Sequence, residues 1–281
     1  MFLKIARLFL FVSVVAMMAS CGGGKVVVDG ESMRYGKVLK SKDHRLKYKY
    51  AMAYYEAKDY MKTLPLLEEL LRWRIPEFEE KVYYYYAYSN YGMREYYMAS
   101  FYFKNFVKKY PSSELAEECS YMSAYCSVRN SPVYSLDQRE TTRAIQELQL
   151  FLNRYPESTK KDTCNALIDD LRSKLEEKAF ENAVQYYRTS HYKSAVIAFK
   201  NVLKEFPDTK ERETVMFLIL KSGYSLAERS IESKKKERFE ETIKSYHTFV
   251  DNFGQSKRLK EAEVMYNSSV ETLEKMNTQI P

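Results

Sequence analysis

One tryptophan, three histidines and four cysteines in 281 residues leave few of the groups that most enzymes use. His44, His191 and His247 lie far apart in the chain and match no metal-binding spacing such as H-E-x-x-H, and the cysteines form no C-x-x-C pair. A phosphate loop, a dinucleotide fingerprint and a G-x-S-x-G elbow are all missing. The doubled glutamates Glu68-Glu69, Glu79-Glu80 and Glu176-Glu177 fall in helical segments, where a solvated face explains them better than acid/base work. These absences point away from an enzyme and from any metal or cofactor.

No block of like charge is present either. The net charge of +7 is mild and spread along the chain, which disfavours nucleic acid as a partner. The one long apolar run, Leu8 to Met18, is too short for a bilayer, which takes about 20 residues. It follows Lys4 and Arg7 and leads into Ala19-Ser20-Cys21, the layout of a bacterial lipoprotein signal: a basic start, a short hydrophobic core, and small residues before a cysteine that can carry lipid. Residues 1–20 are expected to be removed, with Cys21 as the lipid attachment site. An ordinary signal with a chance cysteine, or a membrane anchor, remain the alternatives. Cleavage would lower the net charge from +7 to +5. Of the other cysteines, Cys119 and Cys126 are seven residues apart in a helical stretch, about 10 Å along its axis, which is beyond disulfide reach. With Cys164 they read as small buried hydrophobes.

Residues 21–42 are Gly-rich, then Val-rich, then polar, without a sustained helical period, and are expected to form a flexible tether reaching roughly 25 Å. Beyond it the chain repeats itself. Tyr96-x2-Ala99-x3-Phe103-x2-Phe106-x3-Tyr110-Pro111-x-Ser113 recurs with identical gaps from Tyr192 to Thr209 and from Thr141 to Ser158. A fourth copy, Phe239 to Ser256, has Gly254 in place of the proline, and a degenerate fifth runs from Tyr60 to Pro76 with one extra residue. Apolar residues three and four apart make one face of a helix, and the proline stops it. Ser113, Ser158, Thr209 and Ser256 then stand where the next helix begins and can accept from its free N–H groups. Ala99, Ala144 and Ala195 allow the two helices of a hairpin to approach closely.

Counting back from Pro207 gives Ala183, Tyr186, Ala195 and Phe199, spacings that resemble the tetratricopeptide repeat. That resemblance implies an all-α fold: a right-handed superhelix of five helical hairpins, with a capping helix from Leu259 to Met276. Two departures are expected. The loop Arg129 to Asp137 lengthens the third hairpin, and Thr159 to Thr189 keeps helical period without proline or glycine. The array then divides into repeats 1–3, residues 43–158, and a rear part of long helix, repeats 4 and 5 and cap, residues 159–281.

Tyrosine is abundant, 26 residues, and its distribution marks the candidate site. With Ala51, Ala87 and Ala124 as packing positions of three consecutive first helices, the inner face carries the rows Tyr48/Tyr84/Tyr121, Met52/Tyr88/Tyr125 and Tyr55/Tyr91/Val128. Arg45 and Lys81 lie one turn earlier, at the edge. Such a groove suits an extended peptide with apolar side chains and a carboxylate, since tyrosine offers an apolar face with a polar tip and arginine grips a carboxylate bidentately. Binding through basic edges would weaken with salt. Tyr54, Tyr60, Tyr83 and Tyr86 fall on packing positions instead, and packing alone is the competing account of the rows.

The lipoprotein signal, short tether, five repeats with aromatic-Pro-x-Ser/Thr ends and long helix after the third copy resemble the BamD family, lipoprotein subunits of the outer-membrane β-barrel assembly machine. The resemblance implies a periplasm-facing protein held by lipid to the outer membrane. Its front repeats would receive the aromatic-ended targeting strand of unfolded outer-membrane proteins, here at the tyrosine groove. Its rear would dock on a POTRA domain of a BamA-like barrel protein, within roughly Ala179 to Phe253. Gly22-Gly23-Gly24 after the cysteine is compatible with ordinary outer-membrane sorting. Two other scaffold roles compete. A cell-wall or division lipoprotein would be expected to carry a coiled-coil segment, and a glycan-uptake lipoprotein would expose several tryptophans, where this chain has only Trp73.

Overall fold

The computed structural model describes residues 26–28, 30 and 32–278; the expected signal peptide and Cys21 lie outside them. These residues form twelve helices. Two compact units divide between Arg129 and Asn130.

The first unit holds α1 (Tyr35–Lys40), α2 (His44–Glu56), α3 (Tyr60–Trp73), α4 (Glu79–Gly92), α5 (Tyr96–Lys109) and α6 (Ala116–Asn130, its last residue opening the second unit). Local chemistry sets the starts of α2 and α3. Asp43 accepts from the Leu46 N–H at 3.0 Å and Asp59 from that of Lys62 at 3.3 Å, each satisfying a free amide of the first turn. The helices pair in chain order, α2 on α3, α3 on α4 and α4 on α5. Ala51, Ala87 and Ala99 are fully buried at the crossings, as the repeat spacing requires. Where threonine takes the alanine place, at Thr63, its hydroxyl donates to the Asp59 carbonyl at 2.9 Å, so burial leaves it satisfied.

The hairpin turns repeat a backbone feature that the sequence does not advertise. Lys58 (φ 57°), Arg94 (φ 64°) and Ser190 (φ 62°) each sit in the left-handed region seven residues after Ala51, Ala87 and Ala183. A chain reversal after a helix commonly needs this conformation and usually gives it to glycine. Backbone N–H groups of Asp59, Glu95 and His191 then close onto the carbonyls of Tyr54, Asn90 and Tyr186.

The second unit holds α7 (Arg139–Arg154), α8 (Lys161–Arg188), α9 (Tyr192–Glu205), α10 (Arg212–Glu228), α11 (Glu232–Phe253) and α12 (Leu259–Thr278), each packed on the next, with α12 also touching α10. The long helix appears as α8 and the cap as α12. The unit boundary, however, falls inside the expected third hairpin rather than at residue 159. Hydrogen bonds within the second unit tie the loop to its helices. Lys174 of α8 donates to Ser131 Oγ at 2.7 Å and Lys178 to the Leu136 carbonyl at 2.5 Å, while Gln138 Nε2 donates to the carbonyls of Val133, Tyr134 and Leu136. The loop is thereby bonded to α8 and, through Ser131 and Gln138 to Thr141, to α7.

The expected tether also ends sooner than residue 42. Val26, Val28, Met33 and Tyr35 pack against the α2–α4 core, and Val38 is fully buried. The Met33 N–H donates to Tyr50 Oη at 2.9 Å, and Tyr35 Oη donates to the Lys62 carbonyl at 3.1 Å. The expected flexible tether therefore contains a short helix, α1, and apolar residues before it that cover an open core edge.

Doubled glutamates read as solvated prove to be tied down in part. Ser113 donates to Glu80, Thr209 to Glu176 at 2.5 Å and Ser256 to Glu213 at 2.7 Å. The same hydroxyls accept from the N–H groups of Leu115, Glu211 and Arg258. Each turn hydroxyl thus joins the chain ahead of it to the first helix of its own hairpin. Glu79 pairs with Lys109, and Glu69 with Lys47, whose side chain is 1% exposed.

Candidate functional site

The three first helices of the front unit, α2, α4 and α6, present the tyrosine rows in the expected register. Ala51, Ala87 and Ala124 are buried, and all nine row residues, including Met52 and Val128, are half-buried: one side of each packs inward and the other meets solvent. Tyr54 and Tyr86 are buried as packing residues, whereas Tyr60 and Tyr83 keep partial exposure.

The rings do not stand apart. Tyr84 and Tyr88 lie 4.7 Å apart on α4, and Tyr88 meets Phe103 of α5 edge-on at 4.9 Å. Tyr121 and Tyr125 stack at 5.9 Å on α6, and Tyr91 reaches Tyr125 at 6.4 Å. Tyr48 stacks on Phe78 at 4.8 Å with an interplanar angle of 18°. Tyr85 bridges the first two helices, 4.8 Å from Tyr55 and 5.3 Å from Tyr84. Spacing rules missed Tyr85 and Phe78 because both serve the core as well as the wall.

The edge is less uniformly basic than expected. Arg45 and Lys81 line a cleft of about 650 Å³ together with Tyr48, Lys49, Glu77 and Phe78, but Arg45 is paired with Glu77 at 3.0 Å. The corresponding place on the third helix is Glu118. Six residues before Ala51, Ala87 and Ala124 come Arg45, Lys81 and Glu118, so the signal was in the same register. Tyr88 Oη donates to Glu118 Oε1 at 2.5 Å. The wall therefore runs from cationic groups on α2 and α4 to a carboxylate on α6.

Burial, followed by the hydrogen bond to Glu118, pushes the Tyr88 phenol far above its usual range, and burial then the Glu118 charge do the same to Tyr84. Tyr55 is pushed up to about 12, by burial first and then by Tyr60, Tyr85 and Glu118. Cys119 and Cys126 are free, fully buried thiols raised by burial, Cys126 to about 12. In the unfolded chain thiols ionise near pH ~8.5 and phenols near ~10, while the folded chain holds these protons. Stability is then complete below pH ~8.5 and falls as pH rises toward ~12, because the unfolded state binds fewer protons there. Denaturant midpoints measured at stepped alkaline pH should decline monotonically above that onset; a flat profile to pH ~11 would contradict this account of the rings.

Among the described residues no group of three or more histidine, cysteine, aspartate or glutamate side chains is placed to hold a metal, and no helix is long and apolar enough to cross a membrane. Antiparallel hairpins closed on buried alanines, with aromatic residues between them, define an all-α protein of tetratricopeptide-like repeats. The YfiO family model, described as outer membrane lipoprotein, matches residues 40–239, and the chain belongs to that family. The solved tetratricopeptide domain of P58(IPK) is similar at 13% identity over 90% of this chain and 72% of that one, with a TM-score of 0.40. At that score the hairpin assignment rests on the packing described above. No curated protein matches the chain.

Proposed function

We propose that this chain is a non-catalytic subunit of the outer-membrane β-barrel assembly (BAM) complex, anchored by lipid at Cys21 and facing the periplasm. The observation that carries the reading is the tyrosine wall on three consecutive first helices, with cationic groups at one end, in a member of an outer membrane lipoprotein family. An unfolded barrel protein ends its targeting strand in an aromatic residue and a carboxylate. Half-buried rings supply apolar contact for the former without the entropy cost of ordering long flexible side chains. Lys81 attracts the latter, beside an Arg45 whose charge is shared with Glu77, and Glu118 at the opposite end repels it. The peptide then has one direction: its chain end at α2 and α4, its body running toward α6.

The rear unit offers a separate surface within the expected docking range. A cleft of about 370 Å³ among α9, α10 and α11 has an apolar floor of Leu203, Met216 and Ile219 and a rim of Lys200, Glu241 and Lys244. On the proposed reading this cleft receives a POTRA domain of a BamA-like partner.

Detergent extraction and co-purification test the whole reading: a large barrel protein with POTRA domains should accompany the chain, and recovery of a wall synthase or a glycan transporter instead would refute it. At the groove, Lys81→Glu should weaken a phenylalanine-ended peptide with a free carboxylate while leaving its amidated twin nearly unchanged. Tyr84→Ala with Tyr88→Ala should weaken both forms by roughly 10- to 100-fold, the scale of aromatic hot spots. Circular dichroism separates this from unfolding, since both rings also touch the core, and Tyr88→Phe keeps that packing. Equal binding by all variants would remove the groove.

A further inference from the structure

Aromatic and methionine side chains also stand on the outer faces of α3 and α5, where no contact of the front unit covers them. Met61 is 71% exposed, Tyr97 60% and Phe101 55%, with Met98 and Pro65 exposed beside them. Tyr97 and Phe101 are four apart and share a helix face, and Met61 and Pro65 occupy the same places on α3, thirty-six residues earlier. One to two turns further along, that face changes to Glu68, Arg72, Lys104 and Lys108. The same register on the other second helices is largely polar: Thr142 and Gln146 on α7, Lys193 and Ile197 on α9, Glu240 and Lys244 on α11, all exposed. In this register a pair of exposed apolar residues stands only on the two front second helices, α3 and α5, among those compared.

That entry is tightly held. Val26 packs on the core cluster that also receives Tyr102, the residue next to Phe101, and Tyr35 bonds to the Lys62 carbonyl next to Met61. Only four residues separate Cys21 from Val26, so five extended steps of chain put the Cα of the cysteine that would carry lipid at most about 17 Å from the packed chain. A leash that short brings part of the front unit against the bilayer surface.

We propose that the outer face of α3 and α5, centred on Met61, Tyr97 and Phe101, rests in the interface of the membrane that holds the lipid anchor. The proposal depends on acylation at Cys21. Tyrosine, phenylalanine and methionine suit the boundary between headgroups and acyl chains, and Arg72 and Lys108 can reach back to lipid phosphates. Lipid and patch together give two membrane contacts, which fix the orientation of the unit where one acyl attachment would leave it free to turn.

The test uses the full acylated chain in vesicles of phosphatidylethanolamine and phosphatidylglycerol with brominated acyl chains. In a variant carrying Trp73→Phe and Phe101→Trp, emission should shift to the blue and fall roughly by half relative to unbrominated vesicles. In the unaltered chain, Trp73, about 18 Å along α3 from Met61, should be quenched less. If palmitate attaches and the protein floats with the vesicles, yet Trp at position 101 is unquenched, the interfacial patch is wrong and the lipoprotein reading stands. A blue shift that follows protein concentration and ignores bromination assigns the patch to self-association and overturns the proposal. Absence of both palmitate and flotation removes the leash, and with it both readings.

Discussion

Glu69→Ala should destabilise the front unit by about 3–5 kcal/mol, the cost of leaving a buried charge without its partner. Lys47 lies on α2 with its side chain 1% exposed, and its ammonium meets Glu69 of α3 at 2.5 Å, while Glu69 itself keeps 29% exposure. Removing the carboxylate strands the lysine in a core built from Tyr50, Leu66 and Leu70. Lys47→Met with Glu69→Leu should behave differently, recovering most of the loss, because apolar groups of similar volume need no solvation. The measurement is a double-mutant cycle in urea. Additive losses with no recovery in the double variant would show that the two residues act separately and that the pair does not hold α2 on α3.

Gly92→Ala is the second change with a large expected effect. Gly92 is the last residue of α4, and a Cβ built there would fall within the ring of Tyr60 at the start of α3. The ring is a bulky group that also rests on Tyr55, 5.9 Å away between centroids, so it cannot swing aside without opening the wall. Overpacking of this kind costs about 1–3 kcal/mol. Tyr60→Leu in the same chain should relieve it, because the smaller side chain vacates the space the new methyl needs. A Gly92→Ala variant as stable as the parent would mean that Tyr60 relaxes freely. In that case Tyr55, a member of the proposed peptide site, would be looser than its contacts suggest.

Much of this architecture could be read from spacing alone because one period controls it. A small residue at each crossing, an aromatic or leucine one turn further and a serine or threonine after the stop recur at fixed gaps, and the buried alanines and turn hydroxyls fell where those gaps put them. Interactions between distant residues were out of reach. Nothing in the amphipathic pattern distinguishes Lys47, fully buried, from the exposed lysine at Lys49 two places on. Glu80 and Glu176 look like solvent-facing charges until the turn hydroxyl 33 residues later is brought beside each. The packed entry segment escaped notice because its one helix, α1, is only six residues long and the chain before it has no helical period to detect. Glu118 was legible in principle: the register that picked out Arg45 and Lys81 needed only one more step.

Cys119, Cys126 and Cys164 have a consequence for the order of events during maturation. All three are free and wholly buried once the helices have closed. On the proposed periplasm-facing location, the unfolded chain crosses an oxidising compartment with the same thiols exposed. Burial shields them only after the hairpins have formed. On that reading, a chain slow to close its hairpins keeps three thiols open to oxidation that the folded chain shields.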